Sequence, residues 1–230
     1  MTRIKICGVR RPEHAKVSVE AGANFIGLVF YPGSKRYVTV EEARAVRQAV
    51  PRDRAALVGL FVNQSVEEII ALADACGLDY IQLSGNEPPE FCRGVMQRTG
   101  RPVVKMVRGR FSAGLLPANA QAELEQALLK EAARYPEELA PVLLVDAPAH
   151  GAWGGTGQSW PYAAARALAA QRRILLAGGL HAGNVAEAIR LAQPWGVDVS
   201  SGVETDGVKD PDKIIAFIRA ARLVMLGQTQ

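Results

Sequence analysis

The residues able to do chemistry in this sequence stand where short apolar runs end. Ile4-Lys5-Ile6-Cys7 ends on a thiol, and the glycine that follows, Gly8, has no side chain to keep a ligand away. Free cysteine commonly behaves as a small buried hydrophobe, but a run's end in front of a glycine shifts Cys7 toward function. Leu143-Leu144-Val145-Asp146 ends on a carboxylate that enters a glycine-rich stretch. There Asp146 serves equally well as a solvated helix cap or as an acid at the mouth of a site, and spacing does not choose between them. Two further runs end on glycine: Leu176-Ala177-Gly178-Gly179, with a helix start expected near Asn184, and Asp198-Val199-Ser200-Ser201-Gly202. Backbone N–H groups bared by glycine, together with the positive end of a helix, suit a phosphate dianion. Turn chemistry accounts for either glycine cluster alone but not for both so placed. A third cluster, Gly151 to Gly157, fits no dinucleotide fingerprint and is expected to be a mobile lid.

The elements carrying these residues repeat one unit, a short Val/Ile/Leu run followed by an Ala/Glu/Arg-rich amphipathic stretch. The runs are Ile4 to Cys7, Phe25 to Phe30, Leu57 to Val62, Tyr80 to Leu83, Val103 to Val107, Val142 to Asp146, Ile174 to Ala177 and Val197 to Ser200. Helices are expected near 12–21, 40–49, 65–75, 87–98, 119–134, 161–170, 183–192 and 211–223. About 29 residues per unit are enough for right-handed crossovers, so the expected fold is α/β, a single (βα)8 barrel with eight parallel strands spanning 1–230 as one catalytic domain. A doubly wound open sheet shares the alternation and is the main alternative. The stretch 108–141 is the longest connection and reads as an extended fifth helix ended at Tyr135-Pro136.

Composition excludes several classes. At 230 residues, 49% hydrophobic and 22% charged, the chain is neither disordered nor a disulfide-stapled miniature. Lys+Arg 27 against Asp+Glu 23 leaves +4, with the two signs interleaved. That balance weakly favours anionic ligands and carries no basic run of the kind that announces nucleic acid. Cys7, Cys76 and Cys92 follow no metal or redox spacing, which fits a reducing compartment. No apolar run approaches the roughly 20 residues a bilayer requires, and the amino terminus lacks a signal-peptide core, so a cytoplasmic protein with no membrane partner is expected.

Side chains alternate along a strand, so parity sorts faces. Lys5 and Cys7 share one face against Ile4 and Ile6; Gln82 and Ser84 share a face, as do Leu144 and Asp146, and Asp198 and Ser200; the fifth run adds Lys105. The apolar parity is expected under the helices and the polar parity inside the barrel, its strand-end members facing the mouth. Charges inside a barrel must pair, so the favoured reading of Lys5 and Lys105, with Asp198 as acid, is structural.

With these residues in place, a family resemblance is specific. KICG at 5–8, GLVFYPGSKRYV at 27–38, LFVN at 60–63, DYIQLSG at 79–85, GGTG at 154–157, AGGL at 177–180 and VDVSSGVE at 197–204 resemble the phosphoribosylanthranilate isomerases of tryptophan biosynthesis, in order and from residue 4 to about 218. The resemblance implies a cofactor-free, metal-free barrel that takes a small phosphoribosyl substrate, as monomer or homodimer, and performs an Amadori rearrangement. By motif it implies Cys7 as general base, Asp146 as general acid and Arg36 as the grip on the anthranilate carboxylate. Gln82 and Asp198 are implied as substrate contacts, and Gly178, Gly179, Ser200, Ser201 and Gly202 as the phosphate clamp. Where the family commonly reads QLHG this chain reads QLSG, with Ser84 at the histidine position. The chemistry asks for one acid and one base: Asp146, kept protonated by an apolar mouth, opens the furanose ring, and Cys7, as a thiolate aided by Lys5, removes the C2 proton. The sister isomerase of histidine biosynthesis has an aspartate where Cys7 stands. Indole-glycerol-phosphate synthase places lysines at its catalytic positions, and a non-catalytic phosphosugar-binding barrel would have no use for both Cys7 and Asp146.

Overall fold

Hydrophobic runs become strands here because both of their faces are buried, one by helices and one by the barrel interior. The computed structural model describes residues 2–109, 120–146 and 160–226. Within them the chain runs β1 (Arg3–Cys7), α1 (Pro12–Ala21), β2 (Phe25–Val29), α2 (Val40–Ala49), β3 (Ala56–Phe61), α3 (Val66–Cys76), β4 (Tyr80–Leu83), α4 (Pro89–Thr99) and β5 (Val103–Arg108). It continues with α5 (Ala120–Ala132), β6 (Val142–Asp146), a 3-10 turn (Tyr162–Ala165) leading into α6 (Arg166–Gln171), β7 (Ile174–Leu176), α7 (Val185–Ala192) and β8 (Gly196–Val199). A second 3-10 turn (Ser201–Val203), a short antiparallel hairpin of β9 (Glu204–Thr205) and β10 (Val208–Lys209), and α8 (Pro211–Leu226) complete the order. Strands β1 to β8 close into a barrel in sequence order, every pair parallel, with β8 returning to β1. Closure sets aside the open doubly wound sheet.

Helix starts follow local chemistry. Thr39 and Glu42 form a reciprocal capping box on α2, and Ser65 and Glu68 form one on α3, each satisfying N–H groups that the first turn leaves unpaired. The expected fifth helix is shorter than 119–134, and residues 110–119 and the Gly151 to Gly157 cluster lie outside the described residues.

Two layers of core separate by parity. Ile4, Ile6, Ile26, Leu28, Ile81 and Leu83 pack outward into the layer between strands and helices. Val104, Met106, Val142, Leu144, Leu175 and Ala177 fill the interior on the β5 to β7 side, above a floor where Phe25 packs edge-on to Tyr80 and against Trp195. On the β8, β1 and β4 side the interior is polar, with Lys5, Asp198 and Gln82 all buried.

One expectation fails on this map. Lys105 shares its parity with Val103 and Val107, which belong to the outer layer, so it faces the helices and not the barrel interior. Its Nζ donates to Glu87 Oε2 at 2.6 Å, and both side chains are 2% exposed. The physical reason is that Glu87, in the turn before α4, supplies a buried counter-charge on the outer side, so a polar residue is satisfied there. Lys5 alone pairs with Asp198, at 2.8 Å inside the barrel.

Candidate active site

The carboxyl ends of the strands enclose a cavity of about 470 Å³. Of the candidate residues, Cys7, Arg36, Gln82, Ser84, Asp146, Gly178, Gly179, Asp198, Ser200 and Ser201 all line it. Gly202 does not: a Cβ there would collide with the Leu180 carbonyl oxygen, so it is the point where the loop after β8 packs onto the loop after β7.

Cys7 ends β1 with its sulfur toward the cavity and 5% of the residue exposed. Space for it comes from Gly27 on the neighbouring strand, where a Cβ would lie 3.0 Å from Cys7 Sγ and 3.1 Å from Lys5 Nζ. Burial pushes the Cys7 thiol up, and the Lys5 charge opposes that shift without overcoming it. The expected help from Lys5 is therefore real but partial. For Lys5 itself burial disfavours the charge, while Asp198 and Cys7 outweigh it and hold the ammonium above its usual range. Ser200 Oγ, at the cavity wall, donates to the Cys7 carbonyl oxygen at 3.1 Å and so ties β8 to the end of β1.

Asp146 ends β6 with its side chain 31% exposed, and Arg108, which ends β5, donates from Nη2 to Asp146 Oδ2 at 3.3 Å. The wall beside this carboxyl is thus a guanidinium and not the apolar mouth expected. Arg108 shares parity with Val104 and Met106, so the signal for it was in the sequence once Lys105 is turned outward.

Gln82 Nε2 donates to Ser84 Oγ at 3.0 Å, and Gln82 Oε1, buried, has no hydrogen-bond partner among the described residues. A buried orphan acceptor at a cavity wall is costly unless a ligand donates to it. Asp198 turns Oδ1 to Lys5.

The loop after β7 is built as an anion nest. Gly178 and Gly179 take positive φ, +88° and +68°. Three side chains from outside the strand hold the loop's carbonyl groups: Trp160 Nε1 donates to Ala177 O, Tyr162 OH to Gly178 O and Asn184 Nδ2 to Gly179 O, each at 2.9 Å. In a trans peptide the N–H points opposite the preceding C=O, so tethering those carbonyls turns the N–H groups of Gly178, Gly179 and Leu180 to the other side. All three residues line the cavity, and their N–H groups make no hydrogen bond among the described residues. Trp160, Tyr162 and Asn184 as tethers escaped the sequence reading, which located only the start of the helix.

Arg36 lies in the loop after β2, its stem over Gly8. Gly8 has φ +75°, and a Cβ on it would run into Arg36 Cδ. The open face of Gly8 is therefore filled by the arginine and not by a ligand. Glu204, at the start of the β9–β10 hairpin, takes the Nε and Nη2 edge of Arg36 at 2.7 and 2.8 Å.

Among the described residues no group of three or more His, Cys, Asp or Glu is placed to hold a metal ion, and no helix is long and apolar enough to cross a membrane.

A family model for N-(5'-phosphoribosyl)anthranilate (PRA) isomerase matches residues 4–220. The N-(5'-phosphoribosyl)anthranilate isomerase of Roseiflexus castenholzii is 46% identical over 225 residues, covering 95% of this chain and 97% of the relative. The enzyme of the same name from Pelobacter propionicus is 42% identical over 223 residues, covering 96% of each. The phosphoribosyl anthranilate isomerase of Thermotoga maritima, described in a related structure as dimeric, superposes with TM-score 0.79 at 37% identity over 96% of this chain and 99% of its own. A further solved phosphoribosyl anthranilate isomerase, in complex with reduced 1-(o-carboxyphenylamino)-1-deoxyribulose 5-phosphate, superposes with TM-score 0.76 at 35% identity over 96% and 99% of the two chains.

Proposed function

This chain belongs to the N-(5'-phosphoribosyl)anthranilate isomerase family, and on that premise we propose how its mouth residues divide the work. The reaction is the isomerisation of N-(5'-phosphoribosyl)anthranilate to 1-(o-carboxyphenylamino)-1-deoxyribulose 5-phosphate in tryptophan biosynthesis. The observation that carries the division of roles is that Cys7, Asp146, Arg36 and the N–H groups of Gly178, Gly179 and Leu180, which have no partner among the described residues, open into one cavity.

The substrate phosphate accepts from the Gly178, Gly179 and Leu180 N–H groups, with Ser201 at the facing loop. The ring carboxylate meets the end-on edge of Arg36, and ribose hydroxyls meet Gln82 Oε1 and Asp198. The working form has the Asp146 carboxyl protonated, against the Arg108 guanidinium 3.3 Å away, and the Cys7 thiol ionised, against the burial that holds it up, so it is a minority state. In that form Asp146 gives its proton to the furanose ring oxygen, the C1–O bond breaks, and the nitrogen lone pair closes an iminium. That cation acidifies the C2 hydrogen, which Cys7 removes as thiolate. The electron pair returns to nitrogen as a C1=C2 enolamine, and protonation at C1 with loss of the hydroxyl proton gives the ketone. A thiol held up by burial is a poor base at rest, and the iminium brings a positive charge beside it when the thiolate is needed. Acid, base and fixed N–H groups suffice for every step, so no metal or redox cofactor is invoked. We further take residues 1–230 as one catalytic domain working in the cytoplasm on a small-molecule substrate, as monomer or homodimer and without nucleic acid.

Loss of phosphoribosylanthranilate fluorescence on adding the purified protein measures turnover. Cys7→Ser and Asp146→Asn are expected to lower kcat by about 10²–10⁴. Arg36→Ala is expected to raise KM with a smaller change in kcat, because a carboxylate grip is present in ground and transition states alike. Near-normal kcat in Cys7→Ser would move the base elsewhere.

A further inference from the structure

Arg36 does not choose its own direction. Its Nε and Nη2 donate side-on to the two oxygens of Glu204 at 2.7 and 2.8 Å, and the Glu204 side chain is 5% exposed. Glu204 is held from a third side by Lys209, whose Nζ donates to Oε1 at 2.6 Å and to the Ser200 carbonyl oxygen at 2.9 Å. Lys209 is itself only 5% exposed, and it stands opposite Glu204 in the β9–β10 register. Lys213 Nζ ties down the Glu204 carbonyl oxygen at 2.9 Å. Beneath, the arginine stem rests on Gly8, where any side chain would displace it.

A bidentate partner on the side edge leaves the other edge of the guanidinium, Nη1 with the second proton of Nη2, free for a carboxylate. Glu204 alone would also cancel the arginine's charge. Lys209 restores it: two cations and one carboxylate leave a net positive charge for one ring carboxylate to neutralise. We propose that Glu204 and Lys209 are a positioning pair for Arg36, Glu204 aiming its end-on edge at the substrate's ring carboxylate and Lys209 locking Glu204 while supplying the charge that Glu204 removes. This rests on Arg36 as the carboxylate grip.

The test reads preference for the carboxylate directly, as the ratio of affinities for the reduced product analogue and for the same compound lacking the ring carboxylate, measured by titration calorimetry. Glu204→Gln adds a positive charge to the mouth. If Glu204 were only a counter-charge, the preference would rise; as an aiming residue, its loss lowers the preference by about tenfold, the effect of one charge-assisted hydrogen bond, with affinity for the carboxylate-free compound held. Glu204→Asp keeps the charge and shortens the reach, so aiming predicts a loss in the same direction and a counter-charge predicts none; it also serves if Glu204→Gln does not fold. Preference maintained or increased in a folded Glu204 variant overturns the proposal. Arg36→Ala separates the two levels. If it abolishes the preference while the Glu204 variants keep it, the aiming role is wrong and the grip stands. If Arg36→Ala leaves the preference intact, the grip itself is wrong and the proposal falls with it.

Discussion

Two lysines are buried in ion pairs on opposite sides of the barrel wall. Lys5 points inward to Asp198 at 2.8 Å, and Lys105 points outward to Glu87 at 2.6 Å. Residue types, distances and burial are nearly the same. The surroundings differ. Lys105 donates to Glu87 Oε2, to Gly85 O at 2.8 Å and to Leu83 O at 3.4 Å, and the Tyr135 ring lies 5.5 Å from its Nζ. Its three protons are all spent on protein acceptors. Lys5 donates to Asp198, and its charge also acts on the Cys7 thiol, which opens on the cavity. A saturated ammonium ties a loop to a strand; one that faces a titratable group adjusts that group's charge. What a buried pair does is thus decided by the third group it touches.

The largest effect is expected for Lys5→Met. It leaves the Asp198 carboxylate buried without its partner, a cost of about 3–5 kcal/mol in unfolding free energy. It also strips the thiolate of its cation, so kcat/KM near neutral pH falls by about 10²-fold in the protein that remains folded. Normal kcat/KM in folded Lys5→Met would erase the distinction between the two pairs.

Lys105→Met is expected to cost a similar ~3–5 kcal/mol in denaturant unfolding, with kcat/KM within about twofold of wild type once folded. Adding Glu87→Gln removes the orphaned charge and recovers part of that loss, which locates the cost in the pair and not in the cavity left behind.

Acid-base behaviour sharpens the contrast. Burial raises the Cys7 thiol despite Lys5, so the rising limb of kcat/KM with pH lies above the ordinary thiol range near ~8.5. Lys5→Met moves that limb to still higher pH, and Lys105→Met leaves it in place. The sign for stability is opposite. A thiol whose folded pKa exceeds its unfolded value contributes stability that is whole below the unfolded pKa and is lost as pH rises toward the folded one. The difference in unfolding free energy between wild type and Cys7→Ser is therefore expected to shrink with rising pH over the window in which activity climbs.

The smallest effect is expected at Ser84. Its hydroxyl accepts from Gln82 Nε2 at 3.0 Å and does not titrate in the working range. Ser84→Ala is expected to cost about 1 kcal/mol, less than roughly tenfold in kcat/KM. A loss as deep as that of Asp146→Asn would place proton chemistry on β4.

The amino-acid sequence by itself determined what depends on near neighbours along the chain. Alternation of apolar runs with amphipathic stretches specified the strands to within a residue or so of their ends, and their number and order favoured a parallel barrel over the open sheet that shares the alternation, a choice that closure of β8 on β1 decided. Cys7 and Asp146 were placed at strand ends, and Gly178 and Gly179 in a loop between a strand and a helix, by the residues on either side of them. Tertiary structure alone decided what depends on partners remote in the chain. Parity sorted Lys5 correctly and Lys105 wrongly, because a strand buried on both faces offers no polar side to read, and only the place of Glu87 in space makes the outer face hospitable to a charge. Arg36 was visible as a charged loop residue, but its orientation comes from Glu204, 168 positions away, and the ammonium beneath Cys7 is anchored by Asp198, 193 positions from Lys5. The carbonyl groups that turn the N–H donors of the loop after β7 toward the cavity are held by Trp160, Tyr162 and Asn184 through contacts no periodicity encodes. Hydrophobic period is a property of a segment, whereas the direction of a guanidinium or a peptide N–H is set by whichever groups the closed barrel brings against it.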